Sequence, residues 1–332
     1  MVEALMTLTP PSSFLLDRFF RGPVIESPTD SIQIDIQKRK RRLAPFVSPL
    51  SAAKAEPRAG YASVLYTPPY VKPMRESSAA NYFIRNPGEN PYSGISIMDR
   101  GADLMIKDFA EMNEEIDRTE AWLAAQQLAE GVVTIVGEGV GATIDFQRSA
   151  THNIASTALA GGAGWNGAGA KPLTDFRTAK LLALKDSGYV VNTAVFGTTA
   201  WEDFIGNTEV QKYLNQLHLV PGTVTPTSAI VGGQYMGTIE GVDLIVYVDW
   251  YLNDAGVEQP MLPEDYVILG STETRAERSY GAIQDDDAMF PARRWPLSWK
   301  EHNPPIRYVM LQSAPLPVAH EPDAFVRLDT RA

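Results

Sequence analysis

Of the chain's 24 prolines, twelve fall in residues 1–100 and eleven after residue 220, leaving Pro172 alone in the 120 residues between. Proline fixes φ and has no N–H to donate, so long helices and central strands belong in that middle stretch. The flanks read as irregular or edge structure. The first hundred residues therefore look like arms and loops, and the middle like the conventionally folded part. With 44% apolar and 21% charged residues, the balance is globular, neither disordered nor membrane-spanning. A length of 332 residues suggests two domain-sized units. The absence of cysteine excludes disulfides, thiolate zinc sites and a Cys nucleophile. His152, His218, His302 and His320 are too scattered for a spaced metal motif. Glu3, with no basic stretch ahead of an apolar one, argues against a secretory leader, and cytosolic synthesis is expected.

The formal net charge of −11 is the sum of unlike parts. Residues 31–85 hold ten basic and three acidic residues, a local +7, so the other 277 carry −18. Five of the cations are consecutive: Lys38, Arg39, Lys40, Arg41 and Arg42. Such a run can bind nucleic acid by counterion release, serve as a targeting signal, dock on an acidic protein face, or simply be solvated. An acidic body repels a polyanion, and no aromatics interleave the run as stacking platforms. Segment 97–130, with nine acidic and three basic residues, is the obvious electrostatic partner. Asp108, Glu111, Glu114 and Glu115 are the expected contacts. A basic arm and an acidic helix on every copy are self-complementary between neighbours, which sets register more than affinity.

Along the chain, residues 1–30 are Pro/Ser/Thr-rich around one apolar knot, in which Phe14, Phe19 and Phe20 are the expected docking point of a terminal arm. Ile32, Ile34 and Ile36 alternate with polar residues as a strand, and Tyr61 to Thr67 reads as its return, making 31–85 a long two-stranded arm with a basic tip. An isolated hairpin is marginal in water, so a partner surface is expected beneath it. From Ser96, Met98, Met105, Phe109, Met112, Ile116 and Leu123 follow helical spacing. Ser96 with Asp99 forms a start signal and Gly131 a stop, which predicts one helix over 97–130, about 50 Å long at roughly 1.5 Å per residue. A hairpin over 132–147 follows. Helices over 174–186, 199–205 and 208–217 then alternate with strands over 189–196, 235–240, 242–250 and 266–269. Extended pieces over 307–311 and 322–328 return to earlier structure, so the two units interleave. Residues 173–270 read as an α+β or α/β unit.

The chemistry-bearing motifs are weak. Val132 to Val136 runs into Gly137-Glu138-Gly139-Val140-Gly141-Ala142, the G-x-G-x-x-A pattern of an NAD(P)-binding oxidoreductase. That mechanism needs a helix to begin at the turn, whereas Thr143-Ile144-Asp145-Phe146 alternates like a strand. No carboxylate occurs between Asp145 and Asp175 to hold a ribose. Gly162-Ala163-Gly164-Trp165-Asn166-Gly167 has no strand ahead of it and reads as a flexible loop. Asp285-Asp286-Asp287 offers oxygen ligands for a hard metal, but consecutive carboxylates diverge, and a solvated turn is the plainer reading. No catalytic, cofactor or metal constellation emerges.

Several ordered segments resemble the major capsid proteins of lambda-type tailed bacteriophages, the capsid protein E family. Early ones are Asp17-Arg18-Phe19-Phe20-Arg21, Leu43-Ala44-Pro45-Phe46-Val47-Ser48-Pro49 and Pro69-Tyr70-Val71-Lys72-Pro73. Later ones are Leu262-Pro263-Glu264-Asp265, the run Tyr280-Gly281-Ala282-Ile283-Gln284-Asp285-Asp286-Asp287, Gln312-Ser313-Ala314-Pro315-Leu316, and Glu321-Pro322-Asp323-Ala324-Phe325-Val326. Residues 125–175 agree only in organisation.

The resemblance implies the tailed-phage major capsid fold. Residues 1–30 would be an N-terminal arm and 31–95 an extended loop lying over a neighbour. Residues 96–155 with 305–328 would form a peripheral domain around a long spine helix, and 156–304 an axial domain. The implied function is non-enzymatic self-assembly, as hexamers and pentamers, into an icosahedral head. That shell would be built in the host cytoplasm, with a separate scaffold, a portal and in some relatives a decoration protein. It would enclose double-stranded DNA without sequence-specific binding, and no membrane or cofactor is implied. A nanocompartment shell on the same fold is the alternative within this class, and an oxidoreductase using Gly137 to Ala142 the alternative outside it.

Overall fold

The computed structural model describes residues 13–36, 43–44, 46–50, 52, 62–84, 96–137, 139–162, 164–216, 232–253, 255–288 and 291–331. The cationic run Lys38 to Arg42 lies outside the described residues.

In chain order the elements begin with α1 (Phe14–Phe19), β1 (Val24–Glu26), β2 (Ile32–Ile36), β3 (Ala62–Tyr66) and β4 (Met74–Ser78). The long helix α2 (Ile97–Glu130) leads into β5 (Val132–Gly137), β6 (Val140–Asp145) and β7 (Asn153–Ile154). The middle holds α3 (Pro172–Asp186), β8 (Thr193–Phe196), α4 (Thr198–Gly206), α5 (Thr208–Gln216), β9 (Gly233–Ile239) and β10 (Val242–Tyr247). Then come β11 (Trp250–Leu252), β12 (Glu258–Pro260), β13 (Tyr266–Gly270) and β14 (Ala276–Tyr280). The last strands are β15 (Trp295–His302), β16 (Pro305–Gln312), β17 (Pro315–Ala319) and β18 (Val326–Asp329).

A six-stranded mixed sheet, ordered β7-β18-β13-β8-β10-β9, is the largest unit. Its central strands are largely apolar because both faces are covered. Ala194, Phe196, Leu244, Val246, Val267 and Leu269 face α3, α4 and α5, while Val195, Ile245 and Ile268 face α1 and the end of α2. Successive residues of a strand point to opposite sides, so a run such as Thr193 to Phe196 supplies two cores at once. Strand β18 closes this sheet beside β13, whereas β17 belongs to a three-stranded sheet, β1-β14-β17. The C-terminal stretch 305–328 is thus shared between layers rather than confined to one. Strand β17 carries Pro315 and Pro317, two residues apart, so both missing donors fall on one edge, and the strand is the sheet's last. With its amide nitrogen toward Pro317 O and its oxygen toward Ala319 N, both at 2.9 Å, Gln127 of α2 closes that edge.

Two expectations change on contact with the structure, and a third holds. The hairpin β2–β3 forms, with Ile34 opposite Val64, but its base rests on its own subunit. Ile32, Ile34 and Tyr66 share one face and are buried with Leu123, Phe146 and Leu316. The Tyr66 hydroxyl donates to Asp145 O at 2.6 Å, and burial, with Asp145 nearby, pushes its pKa up to about 12. The stretch around Trp165 is a packed loop, not a flexible one. Trp165 is buried among Phe176, Phe196 and Phe204 and donates to Asp175 at 2.9 Å. Gly164 has φ +73°, and a Cβ there would meet Thr330 O at 2.5 Å, so the loop closes only with glycine. The dinucleotide-like turn is a β-hairpin, Gly137 pairing with Val140, with no helix to receive a pyrophosphate.

The arm's apolar knot is helix α1, wedged between the six-stranded sheet and α2. Phe14, Phe19 and Phe20 are almost fully buried there, Phe19 edge-on to Phe325 at 5.5 Å. Arg18 donates to Thr193 Oγ1 at 3.0 Å and Asp243 Oδ2 at 2.6 Å, and Arg278 to Asp17 at 2.6 Å. A terminus held this way is part of the core. Phe19→Ala should lower the stability of the unassembled subunit by about 3–5 kcal/mol, read from the urea midpoint.

Candidate functional site

Helix α2 is the frame on which every candidate surface is built. Its start is fixed locally: Ser96 Oγ accepts the Asp99 N–H at 3.1 Å and donates to Asp99 Oδ2 at 2.7 Å. Its end is Gly131 in the left-handed region, whose N–H reaches Gln127 O at 2.9 Å. Arg148 then gathers the terminal carbonyls, donating to Leu128 O at 2.7 Å and also to Ala129 O and Asn153 Oδ1. A cation here complements the helix dipole. Burial, with Arg327 close by, pulls the Arg148 pKa down to about 10, which leaves it charged at neutral pH.

Midway along, the buried face turns polar. Asn113, Asp117 and Glu120 lie at i, i+4 and i+7 beside Met112 and Ile116, and all are buried. Two consecutive arginines from the segment before β15 meet them. Arg294 donates to Glu120 Oε1 at 2.9 Å and also binds Asp117 and Asn113. Arg293 donates to Glu120 Oε2 at 3.2 Å and lies 5.1 Å over the Tyr280 ring. The Tyr280 hydroxyl donates to the same carboxylate at 2.9 Å. Burial raises the Asp117 pKa above the usual carboxylate range, with Arg294 opposing. Burial, then Glu120, raises that of Tyr280. The charged groups of the cluster pair mainly with one another. What it does is fix where β15 and β16 stand along the helix. Sequence reasoning missed it, although three polar residues inside an apolar helical stripe were a visible signal.

The expected contact residues fare differently from one another. Glu115 pairs with Arg75 of β4 in the same chain. Glu111 lies 3.9 Å from Lys107 and Glu114 3.3 Å from Arg118, both exposed one-turn pairs worth little. Asp108 is half-buried, and burial followed by Glu111 raises its pKa. Together with Arg293 and Arg294 on Asp117 and Glu120, much of the helix's acidic charge is met within its own subunit. Among the described residues, the helix acids without such a partner, Asp103 and Asp108, lie on the N-terminal half. There the apolar stripe leaves the body: Met98 is 86% exposed and Met105 half-buried, whereas Phe109, Met112 and Ile116 pack on Val309 and Leu311 of β16. A groove of about 520 Å³ runs between these first turns and the β15–β16 tip, lined by Tyr82, Met98, Ala102, Met105, Lys300 and Ile306. Asp285 is occupied in a turn, accepting from Gln312 at 2.7 Å and Asp287 N at 3.1 Å. Among the described residues no cluster of three acidic or imidazole groups could hold a metal, and no helix is long and apolar enough to cross a membrane.

Removing one partner from the ion cluster leaves buried charge behind. Arg294→Met should cost about 3–5 kcal/mol in subunit stability, measured by denaturant unfolding, against under about 1 kcal/mol for Arg118→Met on the exposed face.

Known proteins are similar to this chain in sequence and in fold. The major capsid protein of Enterobacteria phage phi80 is 29% identical over 292 residues, 86% of this chain and 84% of that one. That of Escherichia phage lambda is 28% identical over the same shares. In a crystal structure, a protein described as the capsid protein of an E. coli CFT073 prophage superposes with a TM-score of 0.72 at 22% identity, covering 99% of this chain and 95% of that one, a likeness of fold. Residues 1–330 match the family described as Phage major capsid protein E. A long frame helix, a sheet covered on both faces and a match over nearly the whole sequence lead to one conclusion: the chain belongs to the phage major capsid protein E family.

Proposed function

We propose that copies of this chain join as hexamers and pentamers into the icosahedral head shell, each copy laying its 31–95 loop on the next, and that no catalysis is involved. One observation carries the reading. Leu43 is 88% exposed and Phe46 and Leu50 fully exposed, directly after the cationic run, while the mainly apolar groove at Met98 and Met105, with Lys300, Glu301 and Arg307 at its wall, stands open on the same chain. In a single copy neither surface covers the other. A donor patch and an acceptor groove at different places make a head-to-tail contact, which closes into rings. The 25 residues between β2 and β3 are enough chain for a doubled-back span of about 40 Å at roughly 3.3 Å per residue.

In this reading α2 with its flanking sheets is the peripheral part and the six-stranded sheet the axial part. Assembly takes place in the host cytoplasm, with scaffold, portal and any decoration protein as separate chains. Double-stranded DNA is enclosed without sequence-specific contacts, a role suited by the body's net negative charge.

Phe46→Asp with Leu50→Asp should abolish closed shells in electron micrographs while leaving subunit circular dichroism unchanged. Replacing Lys38 to Arg42 with serines should raise the protein concentration needed for assembly several-fold, an effect that vanishes at high salt. Normal shells from the aspartate variant would refute the docking.

A further inference from the structure

From Tyr213 to Thr274 the chain has no lysine or arginine, while Glu240, Asp243, Asp249, Asp254, Glu258, Glu264, Asp265 and Glu273 give the stretch eight carboxylates. Strands β9, β10 and β13 and the ribbon β11–β12 all come from it. Part of the charge is met from elsewhere in the chain: Arg177 donates to Glu240 at 2.9 Å and Arg18 to Asp243 at 2.6 Å. Asp249, Glu258 and Glu264 have no cationic partner among the described residues. Asp249 accepts from the Tyr247 hydroxyl at 3.1 Å and Glu264 from Thr199 Oγ1 at 3.1 Å. All three carboxylates line one cavity of about 260 Å³, with Tyr247 and Trp250 on its wall. Carboxylates beside aromatic side chains hold an ammonium both by charge and by cation–π attraction.

Strand β11 extends this surface. Tyr251 turns inward, its ring 6.4 Å from Trp122, while Trp250 and Leu252 on the other face are 57% and 65% exposed. Val248 just ahead is 48% exposed. Single exposed apolar residues need no explanation, but a contiguous row with a polar rim marks a docking surface.

The complement lies across the same six-stranded sheet. Tyr247 and Leu262 belong to the core on the α1 side, whereas α3 packs on the opposite face. Lys171 at the cap of α3, then Thr174, Thr178, Leu181 and Lys185, recur at steps of three and four and so share one stripe. All five are exposed, Leu181 by 56%. No acid falls on the stripe, since Asp175 is bonded to Trp165 and Asp186 to His152 on other sides of the helix. Leu181 and Lys185 stand one turn apart, about 6 Å along the axis. No residue of α3 lines the cavity, so the two surfaces do not meet within one copy.

We propose that the α3 stripe of one copy docks on the β11–β12 face of the next. Lys185 enters the cavity between Glu258 and Glu264, and Leu181 covers Trp250 and Leu252. The occupant is a second copy because the chain itself carries the matching charge and the matching apolar group. Patches at different places on one subunit join head to tail and close into rings. This contact rests on the ring assembly proposed above and adds to it a second joint, one that selects the orientation of the neighbour.

Reversing each side in the full-length chain tests the docking. Lys171→Glu with Lys185→Glu, and separately Glu258→Lys with Glu264→Lys, should each abolish closed shells in electron micrographs under conditions where the unaltered chain assembles. Subunit circular dichroism should be unchanged, because all four side chains are exposed. The four changes together in one chain set a reversed stripe against a reversed cavity and should restore shells. Normal shells from either two-site variant, or no recovery in the four-site chain, would overturn the docking while leaving the shell reading intact. An unaltered chain that forms neither rings nor shells would overturn that reading, and the docking with it.

Discussion

Among the described residues, three of the four hydrophobic clusters take part of their wall from helix α2, and the fourth lies on the far face of the sheet that α2 supports. Its middle packs on β16, Leu123 on the base of the arm and β5–β6, and its last turns on α1 and the six-stranded sheet. A helix of about 50 Å serving three cores in succession cannot shift along its axis without disturbing all of them. That is a demanding constraint, because packed interiors admit little sliding. The structure answers it with polar devices that fix axial position: Ser96 at one end, Gly131 with Arg148 at the other, and Arg293 and Arg294 between.

The buried ion cluster is the least economical of these. Burying two carboxylates and two guanidinium groups costs several kcal/mol per ion before pairing, and an apolar contact of equal volume holds at least as firmly. What apolar contact cannot supply is a unique register. Arg294 fits Glu120, Asp117 and Asn113 together at one position on the helix. A shell subunit needs that, since an angular error in one copy is repeated at every contact around a ring. The same cluster also redistributes charge. It meets helix acids from within the subunit and leaves Asp103 and Asp108, on the N-terminal half, without such a partner among the described residues.

Much of this was legible residue by residue. The limits of α2 follow from Ser96, Asp99 and Gly131, groups within a few residues of the bonds they make. The hairpins follow from period-two alternation, and the proline count foretold edge structure such as β17. Even the misreadings were local: β15 and β17 were under-read because proline discourages strand assignment, although an edge strand tolerates it. The Trp165 loop was read as flexible because glycine signals freedom, and only contact with Phe176 and Thr330 shows that the freedom is used for a tight closure.

The sequence by itself determined the limits of α2, the two hairpins β2–β3 and β5–β6, the segregation of charge between arm and body, and, through ordered segments at both ends, the family. Tertiary structure alone decided where each segment goes. It set the sheet order that joins β18 to β13, the burial of Phe14 and Phe19 in the subunit's own core, and the meeting of Arg294 with Glu120 across 174 residues. The physical reason is range. Caps, turns and side-chain alternation act over a few residues and leave their mark in the adjacent sequence. Burial and ion pairing depend on partners brought together only when the chain has closed, and their free energy belongs to the pair rather than to either residue.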